Sequence, residues 1–355
     1  MLQLRHAGEE TSTIHIVGQG LAGSTLALSL IEKGYTVRVY DNGYRTSSSM
    51  IAAGMWNPLS YVNLKRSWLA NDFLPELEKT YTRFELLLKK SFFHPQRLVR
   101  IFPDAGAANL WEERSDHPEV STYIGKESVL DSETHFNQPF GHGVILKAGW
   151  LDLPLFLASS CALFKDMGVH QIKEVDTTQM LQWLNEGDWV IQCTGWKPMA
   201  DNLWNTVPIH TSKGQVFTLR IEGLSEDYMS NFGKFAIPLG DSLFRVGSTY
   251  EHGALDPLPS EVANEVLDDV RKSVRKSFEI IDLKSGFRPT TIDRQPVVGM
   301  HNHHSRLGIF NGFGSRGVMM VPFFARHLMQ HLTEGAPIMK EVDWRRFEER
   351  RQRSQ

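Results

Sequence analysis

The segment Gly18-Gln19-Gly20-Leu21-Ala22-Gly23 constrains this chain more than any other, because of what stands on either side of it. Thr13-Ile14-His15-Ile16-Val17 reads as a short buried strand that runs directly into the first glycine. Leu21 to Lys33 reads as a helix rich in Ala and Leu, with Gly34 placed to stop it. Tyr35 to Tyr40 reads as a second strand, and Asp41 follows it, about 20 residues past the glycines. Strand, glycine turn, helix, strand and acid make a βαβ unit.

Each residue of that unit has a physical reason. Gly18 permits the tight turn, Gly20 lets a pyrophosphate approach the backbone, and Gly23 lets the helix pack against the strand. The helix N-terminus at Leu21 and Ala22 offers free N–H groups and a partial positive charge to an anion. Asp41, with Asn42 beside it, is placed to accept hydrogen bonds from ribose hydroxyls. The unit therefore predicts dinucleotide binding, against the alternative of a bare βα turn. It does not separate NAD from FAD. Two further segments of small residues bear on that choice. Ser47-Ser48-Ser49-Met50-Ile51-Ala52-Ala53-Gly54-Met55 closely follows the acid, and Cys193-Thr194-Gly195 ends a later apolar run. Both would let a loop lie against a bulky cofactor.

The rest of the chain alternates in character. Asn71 to Lys90 predicts a long amphipathic helix, and Ser91 to Gly149 reads as short strands and turns. Asp152 with Pro154 predicts a capped helix running to Asp166, stopped at Gly168. Strands are expected over Val169 to Val175 and Asp188 to Cys193. From Val207 to Tyr250 the pattern is β-rich, with a hairpin turn at Leu239-Gly240-Asp241-Ser242. Glu261 to Ser277 and Ser315 to Leu332 read as helices, and Leu307 to Phe310 as a strand. The expected fold is α/β and α+β, with two interleaved domains. A Rossmann-like domain takes residues 1–60, 145–205 and 285–335. An antiparallel-sheet domain for the substrate takes 61–144 and 206–284. Residues 336–355 form a charged tail, read over Glu341 to Arg353 as a solvated helix.

With 355 residues and a formal net charge of -3, the chain gives no electrostatic case for a nucleic acid partner. Its two cysteines, Cys161 and Cys193, are too few for a disulfide scaffold. The first dozen residues lack the apolar core of a signal peptide, and no apolar run approaches the ~20 residues of a membrane span. A cytoplasmic protein is the expectation. His301-Asn302-His303-His304 has no carboxylate pattern beside it and reads as a loop, so no metal is expected.

Several motifs taken together resemble the D-amino acid oxidase and glycine oxidase superfamily of FAD enzymes. They are Gly18-x-Gly20-x-x-Gly23, Ala52-Ala53-Gly54-Met55, Cys193-Thr194-Gly195, Lys213-Gly214-Gln215 and Ile237-Pro238 with Val246-Gly247-Ser248-Thr249. Gly286-Phe287-Arg288-Pro289 and Gly312-Phe313-Gly314-Ser315-Arg316-Gly317 complete the set. The last two are also similar to the oxidase domain of the bifunctional enzymes that modify the wobble uridine of tRNA; the methyltransferase half of those enzymes is not in this sequence.

The resemblance implies FAD in a glutathione-reductase-like nucleotide domain, with the flavin ring at the boundary with the antiparallel sheet; neither Cys161 nor Cys193 lies near the C-terminal flavin segment, so the FAD is expected to be non-covalent. Arg288, set between Gly286-Phe287 and Pro289, reads as lying in a turn, and the resemblance implies that it pairs with a substrate carboxylate. It also implies that the turn from Gly312 through Val318 and Met319 lies near the flavin pyrimidine edge. Arg316 then faces flavin or substrate, or caps the turn. The family often has a tyrosine where Phe235 stands, and a phenyl ring cannot donate a hydrogen bond to a carboxylate. Tyr250, Tyr61 or His210 would have to supply it, unless the substrate differs from a simple amino acid. The implied activity is oxidation of a small carboxylate-bearing amine, with oxygen or another compound as electron acceptor. A dehydrogenase using a quinone or carrier, an oxidase acting on tRNA and a flavoprotein without turnover stand as alternatives. The sequence does not speak to oligomeric state.

Overall fold

The computed structural model describes residues 12–43, 47–126, 135–196, 202–204, 206–254 and 256–353. The polar N-terminal residues 1–11, on which the reading of no signal peptide rests, lie outside them. Ile14–Val17 lies inside a six-stranded sheet of order Val297–Met300, Leu307–Asn311, Trp189–Gln192, Ile14–Val17, Val37–Asp41 and His170–Ile172. The strands run parallel except Val297–Met300, which is antiparallel to its neighbour. Ile14 and Ile16 enter the core on one face, while Val17 enters the core on the other. A sheet covered on both faces needs strands that are apolar on both, which is why these segments read as continuous Ile and Val runs.

Four helices share the larger core with this sheet: Leu21–Glu32, Ala70–Leu88, Leu153–Asp166 and Gly317–Glu334, through Leu26, Phe73, Phe156 and Phe324. Their ends follow local rules. Gly34 takes φ +82°, where a side chain would be strained. The Asp152 carboxylate accepts the Leu155 N–H at 3.1 Å.

The second sheet has nine strands. Its backbone is the antiparallel pair Ile209–Arg220 and Glu279–Thr291, matched from Ile209 opposite Thr291 to Arg220 opposite Glu279. Leu243–Gly247, Phe235–Gly240, Met229–Asn231, Leu98–Ile101, His142–Ile145 and Ile124–Gly125 extend it in that order, with Glu251–His252 on the other flank. Asp241 and Ser242, at φ +54° and +58°, make the tight hairpin turn expected there. One face of the sheet packs on helix Asn264–Ser273 through Phe217, Phe244 and Val270. The opposite face carries Leu98 and Ile237 against Ala53 and Trp150.

Three local expectations are corrected. Ala105–Ser115 is a helix inside the region read as strands and turns; none of its residues is buried, so it has no apolar stripe to betray it. Arg288 lies within the strand Glu279–Thr291 and not in a turn, despite its flanking Gly286 and Pro289. The charged tail docks at its start: Val342, Trp344 and Phe347 are buried, and Arg346 pairs with Asp293 at 2.9 Å. Its charges mask an apolar face.

Candidate functional site

The carboxyl ends of the parallel strands open into a cavity of about 400 Å³, the place where open α/β sheets hold ligands. Gly18, Gly20, Leu21, Ala22, Asp41, Asn42, Ser48, Ser49, Cys193, Thr194 and Gly195 line it. The glycines have distinct jobs. A Cβ on Gly18, whose φ is +111°, would stand 2.5 Å from the Cys193 carbonyl oxygen. One on Gly23 would stand 1.9 Å from the Gly18 carbonyl oxygen. Gly20 is different: a Cβ there meets only the Ser49 hydroxyl, at 3.3 Å, so its backbone faces open space.

The donors and acceptors around this cavity suit a dinucleotide. Helix Leu21–Glu32 begins at Gly20 without a side-chain cap, although the Leu21 N–H donates to the Ser49 hydroxyl at 3.1 Å. The Thr194 hydroxyl is buried without a partner among the described residues. Among the described residues the Asp41 carboxylate accepts only the Gly43 N–H, at 3.2 Å, which leaves acceptor capacity for ribose hydroxyls. The residues present therefore fit a bound dinucleotide, with backbone for the phosphates and side chains for the sugar.

A second cavity, of about 560 Å³, shares Leu21, Ser48, Ser49, Gly314 and Gly317 with the first, so the two form one groove. Ala52, Ala53, Gly54 and Met55 form one wall, and Ser315, Arg316, Val318 and Met319 another. Gly54 has φ +76°, and a Cβ there would stand 2.0 Å from the Leu151 carbonyl oxygen. Phe313 and Gly314 line the first cavity, while Gly312 sits behind them at φ +75° in the turn. Helix Gly317–Glu334 starts here with no side-chain cap, so its first N–H groups and positive dipole end face the groove.

The sheet supplies the remaining wall through Gly214, Val216, Gly247, Phe235 and Arg288. The Arg288 guanidinium lies over Gly214, where a Cβ would come within 2.1 Å of Nη2. It donates to the Ser248 hydroxyl at 2.6 Å and to the Thr249 carbonyl at 3.2 Å, and it stacks 4.3 Å from the Tyr250 ring centre. Burial pulls its pKa below the ordinary arginine value, with Tyr250 acting in the opposite sense. Among the described residues no carboxylate pairs with it. The loop that supplies its acceptors is itself pinned: the Gln215 N–H donates to the Thr249 hydroxyl at 3.0 Å, and the Gln215 amide donates to Glu251 at 2.7 Å.

Of the groups considered as replacements for a tyrosine at Phe235, Tyr250 and Tyr61 line the cavity beside it, and Tyr250 is 61% exposed. His210 is exposed on the strand opposite Thr290 and is not part of the lining. Arg316 lines the cavity and donates to the Arg294 carbonyl at 2.9 Å; burial and the Arg294 charge lower its pKa. His301 staples its own loop, with Nδ1 accepting the His303 and His304 N–H groups and Nε2 donating to the Leu203 carbonyl. Burial pushes the Cys193 thiol pKa well up, and Cys161 and Cys193 both line the nucleotide cavity. Sequence reasoning passed over Asn57, Ser60 and Asn231, which also line the second cavity. No helix among the described residues is long and apolar enough to cross a membrane.

Comparison with known proteins agrees with this geometry. The glycine oxidase of Pseudomonas putida is 25% identical over 91% of this chain and 95% of its own length. The tRNA 5-methylaminomethyl-2-thiouridine biosynthesis bifunctional protein of Leptospira borgpetersenii is 22% identical over 92% of this chain, which spans 58% of that protein. Two solved structures share the fold, each with a TM-score of 0.74. They are iminodiacetate oxidase from Chelativorans, at 18% identity over 93% of this chain and 98% of that one, and glycine oxidase from Geobacillus kaustophilus, at 17% over 92% and 96%. Residues 13–331 match the family described as DAO, FAD dependent oxidoreductase. The chain belongs to this DAO family of FAD-dependent oxidoreductases, and FAD is its cofactor.

Proposed function

We propose that this enzyme oxidises the C–N bond of a carboxylate-bearing amine, an amino acid or N-substituted glycine, with Arg288 holding the carboxylate. The observation that carries this reading is a partly buried guanidinium that faces the cavity and has no carboxylate partner among the described residues. A planar guanidinium matches a carboxylate with two parallel, charge-assisted bonds, roughly twice as strong as neutral ones. The glycine and iminodiacetate oxidases among the similar proteins act, by name, on molecules of this kind.

FAD, held by the Gly18–Gly23 turn and Asp41, would supply the two-electron acceptor for the substrate's α-hydride. The chain's part is to orient and to exclude water. Arg288 fixes one end of the substrate, so the α-carbon is presented in one direction. Ile51, Leu153, Phe235 and Met319 make that part of the cavity apolar, which disfavours the ammonium form and releases the amine's proton. Loss of the α-hydride from the neutral amine leaves an iminium ion, which water hydrolyses to a carbonyl compound and the released amine. The uncapped helix end at Gly317 would stabilise negative charge on a group bound in the groove. With both cysteines at the nucleotide end, away from the second cavity, the FAD is held without a covalent bond. The domain division given by the sequence places this site between its two parts.

Anaerobic reduction of the flavin by glycine, sarcosine, proline and D- and L-amino acids tests the reading. At least one should bleach the flavin, and the matching amine without a carboxylate should not. Bleaching by neither, or equally by both, overturns it. Peroxide formed during aerobic turnover identifies oxygen as acceptor; its absence assigns a quinone or carrier.

A further inference from the structure

One lateral row crosses six strands of the large sheet on the face toward the groove: Val216, Gly247, Phe235, Asn231, Arg100 and Gly143. The first four line the second cavity. Arg100, next in the row, is only 8% exposed, yet among the described residues it makes no ion pair. Its nearest acid in charge terms is Asp104, whose carboxylate is engaged in capping helix Ala105–Ser115 through the Ala107 N–H at 2.8 Å. Beyond Arg100 the row is closed by Trp111, whose ring lies over Gly143, 2.2 Å from where a Cβ would stand. The charge is therefore shielded on its far side.

On its near side stands Tyr61. The Arg100 guanidinium lies 5.2 Å from the Tyr61 ring centre, and Tyr61 lines the cavity. The Asn57 amide nitrogen donates to the Tyr61 hydroxyl oxygen at 3.2 Å. Asn57's other amide atom accepts the Leu59 N–H at 2.8 Å, which fixes the amide's orientation. The Tyr61 oxygen is thus already an acceptor, and its own proton has no acceptor among the described residues. An unused O–H donor in the cavity wall, with a buried cation behind its ring, suits an anion.

We propose that Tyr61, backed by Arg100, binds a second carboxylate, so that the preferred substrate is an amine carrying an acid group at each end. The inference rests on the reading that Arg288 binds the first. Arg288 lies over Gly214 on Ile209–Arg220, and Arg100 is four strands away. At ~4.8 Å per strand, Gly214 beneath the Arg288 guanidinium and Arg100 are about 19 Å apart along the sheet. Glycine and sarcosine are too short to reach both, and the doubly charged amine must be an extended one. The same distance explains Phe235: with the first carboxylate held by Arg288 and the second by Tyr61, the middle of the cavity needs an apolar wall.

The test uses the FAD-loaded enzyme and N-(ω-carboxyalkyl)glycines of increasing chain length, each compared with the N-alkylglycine of equal length. Anaerobic flavin reduction should favour the dicarboxylate by about tenfold or more at one length, the worth of a single charge-assisted hydrogen bond. Tyr61→Phe, which keeps the ring, and Arg100→Gln should each shrink that ratio through KM, while Arg100→Lys should restore part of it. A second measurement needs no variant: straight-chain dicarboxylates should inhibit the unaltered enzyme more tightly than monocarboxylates of equal length. N-alkylglycines that do as well as the dicarboxylates at every length overturn this inference and leave the amine reading standing. If no carboxylated amine bleaches the flavin, both fall.

Discussion

The two ends of the groove are built from different atoms. At the nucleotide end the wall is backbone: Gly18 fits under the Cys193 carbonyl, Gly23 against the Gly18 carbonyl, and Gly20 faces open space. At the other end the wall is side chains: Arg288, Phe235 and Tyr250 from strands and loops of the second sheet, and Tyr61 from the turn before helix Ala70–Leu88. A backbone cradle tolerates almost no substitution, because adding one carbon displaces main chain. A side-chain wall can be rewritten one residue at a time while the sheet beneath keeps its register. On the proposed function, the cofactor end therefore fixes the kind of chemistry, and the sheet end selects the molecule.

The largest effects should come from adding a methyl group to the cradle. Gly18→Ala places a Cβ 2.5 Å from main chain at a φ of +111°, a strained backbone for any side chain, and Gly23→Ala places one 1.9 Å from a carbonyl oxygen. Strain and overpacking of this kind cost about 1–3 kcal/mol each. Both variants should lose their flavin, read as absorbance near 450 nm per chain, and melt at lower temperature. Gly20→Ala should keep its melting temperature as the apoprotein and bind FAD more weakly, since only a serine hydroxyl is near. A Gly18→Ala protein with full flavin content would erase the contrast between the two ends.

Arg288→Gln comes next and should strike only the substrate. Leaving a buried charged group without its partner costs about 2–5 kcal/mol, roughly 30-fold to several thousand-fold in kcat/KM. The loss should appear with carboxylated amines while flavin content stays at the level of the unaltered protein. If flavin is lost together with activity, Arg288 belongs to the cradle and the division between the ends is misplaced.

This division also explains what the sequence disclosed. The βαβ unit was legible because turn, helix stop and acid are local: Gly34 and Asp152 each act on residues a few positions away. The cofactor turn from Gly312 to Gly317 was legible for the same reason. Helix Ala105–Ser115 was not, since none of its residues is fully buried and it leaves no apolar period. Gly286 and Pro289 mimicked a turn around Arg288; the pairing of Arg288 with Ser212 that makes it a strand joins residues distant in sequence. Tyr61 was named only as a possible substitute for a missing tyrosine. The Arg100 that stands by its ring is brought opposite Asn231 by strand register, which no local pattern encodes. The docked tail hid Trp344 and Phe347 among charges.

The smallest effect is the most discriminating. Phe235 faces the groove with its ring tip close to Gly247, 3.2 Å from where a Cβ on that glycine would stand. Phe235→Tyr adds a hydroxyl at that tip, beside the loop whose Ser248 and Thr249 hold Arg288. If the groove takes a small amino acid, the new donor joins Arg288 on the carboxylate. It is then worth about 1 kcal/mol, a roughly fivefold fall in KM with kcat nearly unchanged. If the groove takes an extended amine held at both ends, the hydroxyl enters the apolar middle of the chain's path, finds no acceptor there and must be desolvated. KM for a long dicarboxylate should then rise by a similar factor while KM for glycine or sarcosine falls. A substitution that moves the two substrates in opposite directions ties the phenyl ring to substrate length. One that moves both in the same direction makes Phe235 a neutral replacement and leaves length to be set elsewhere in the wall.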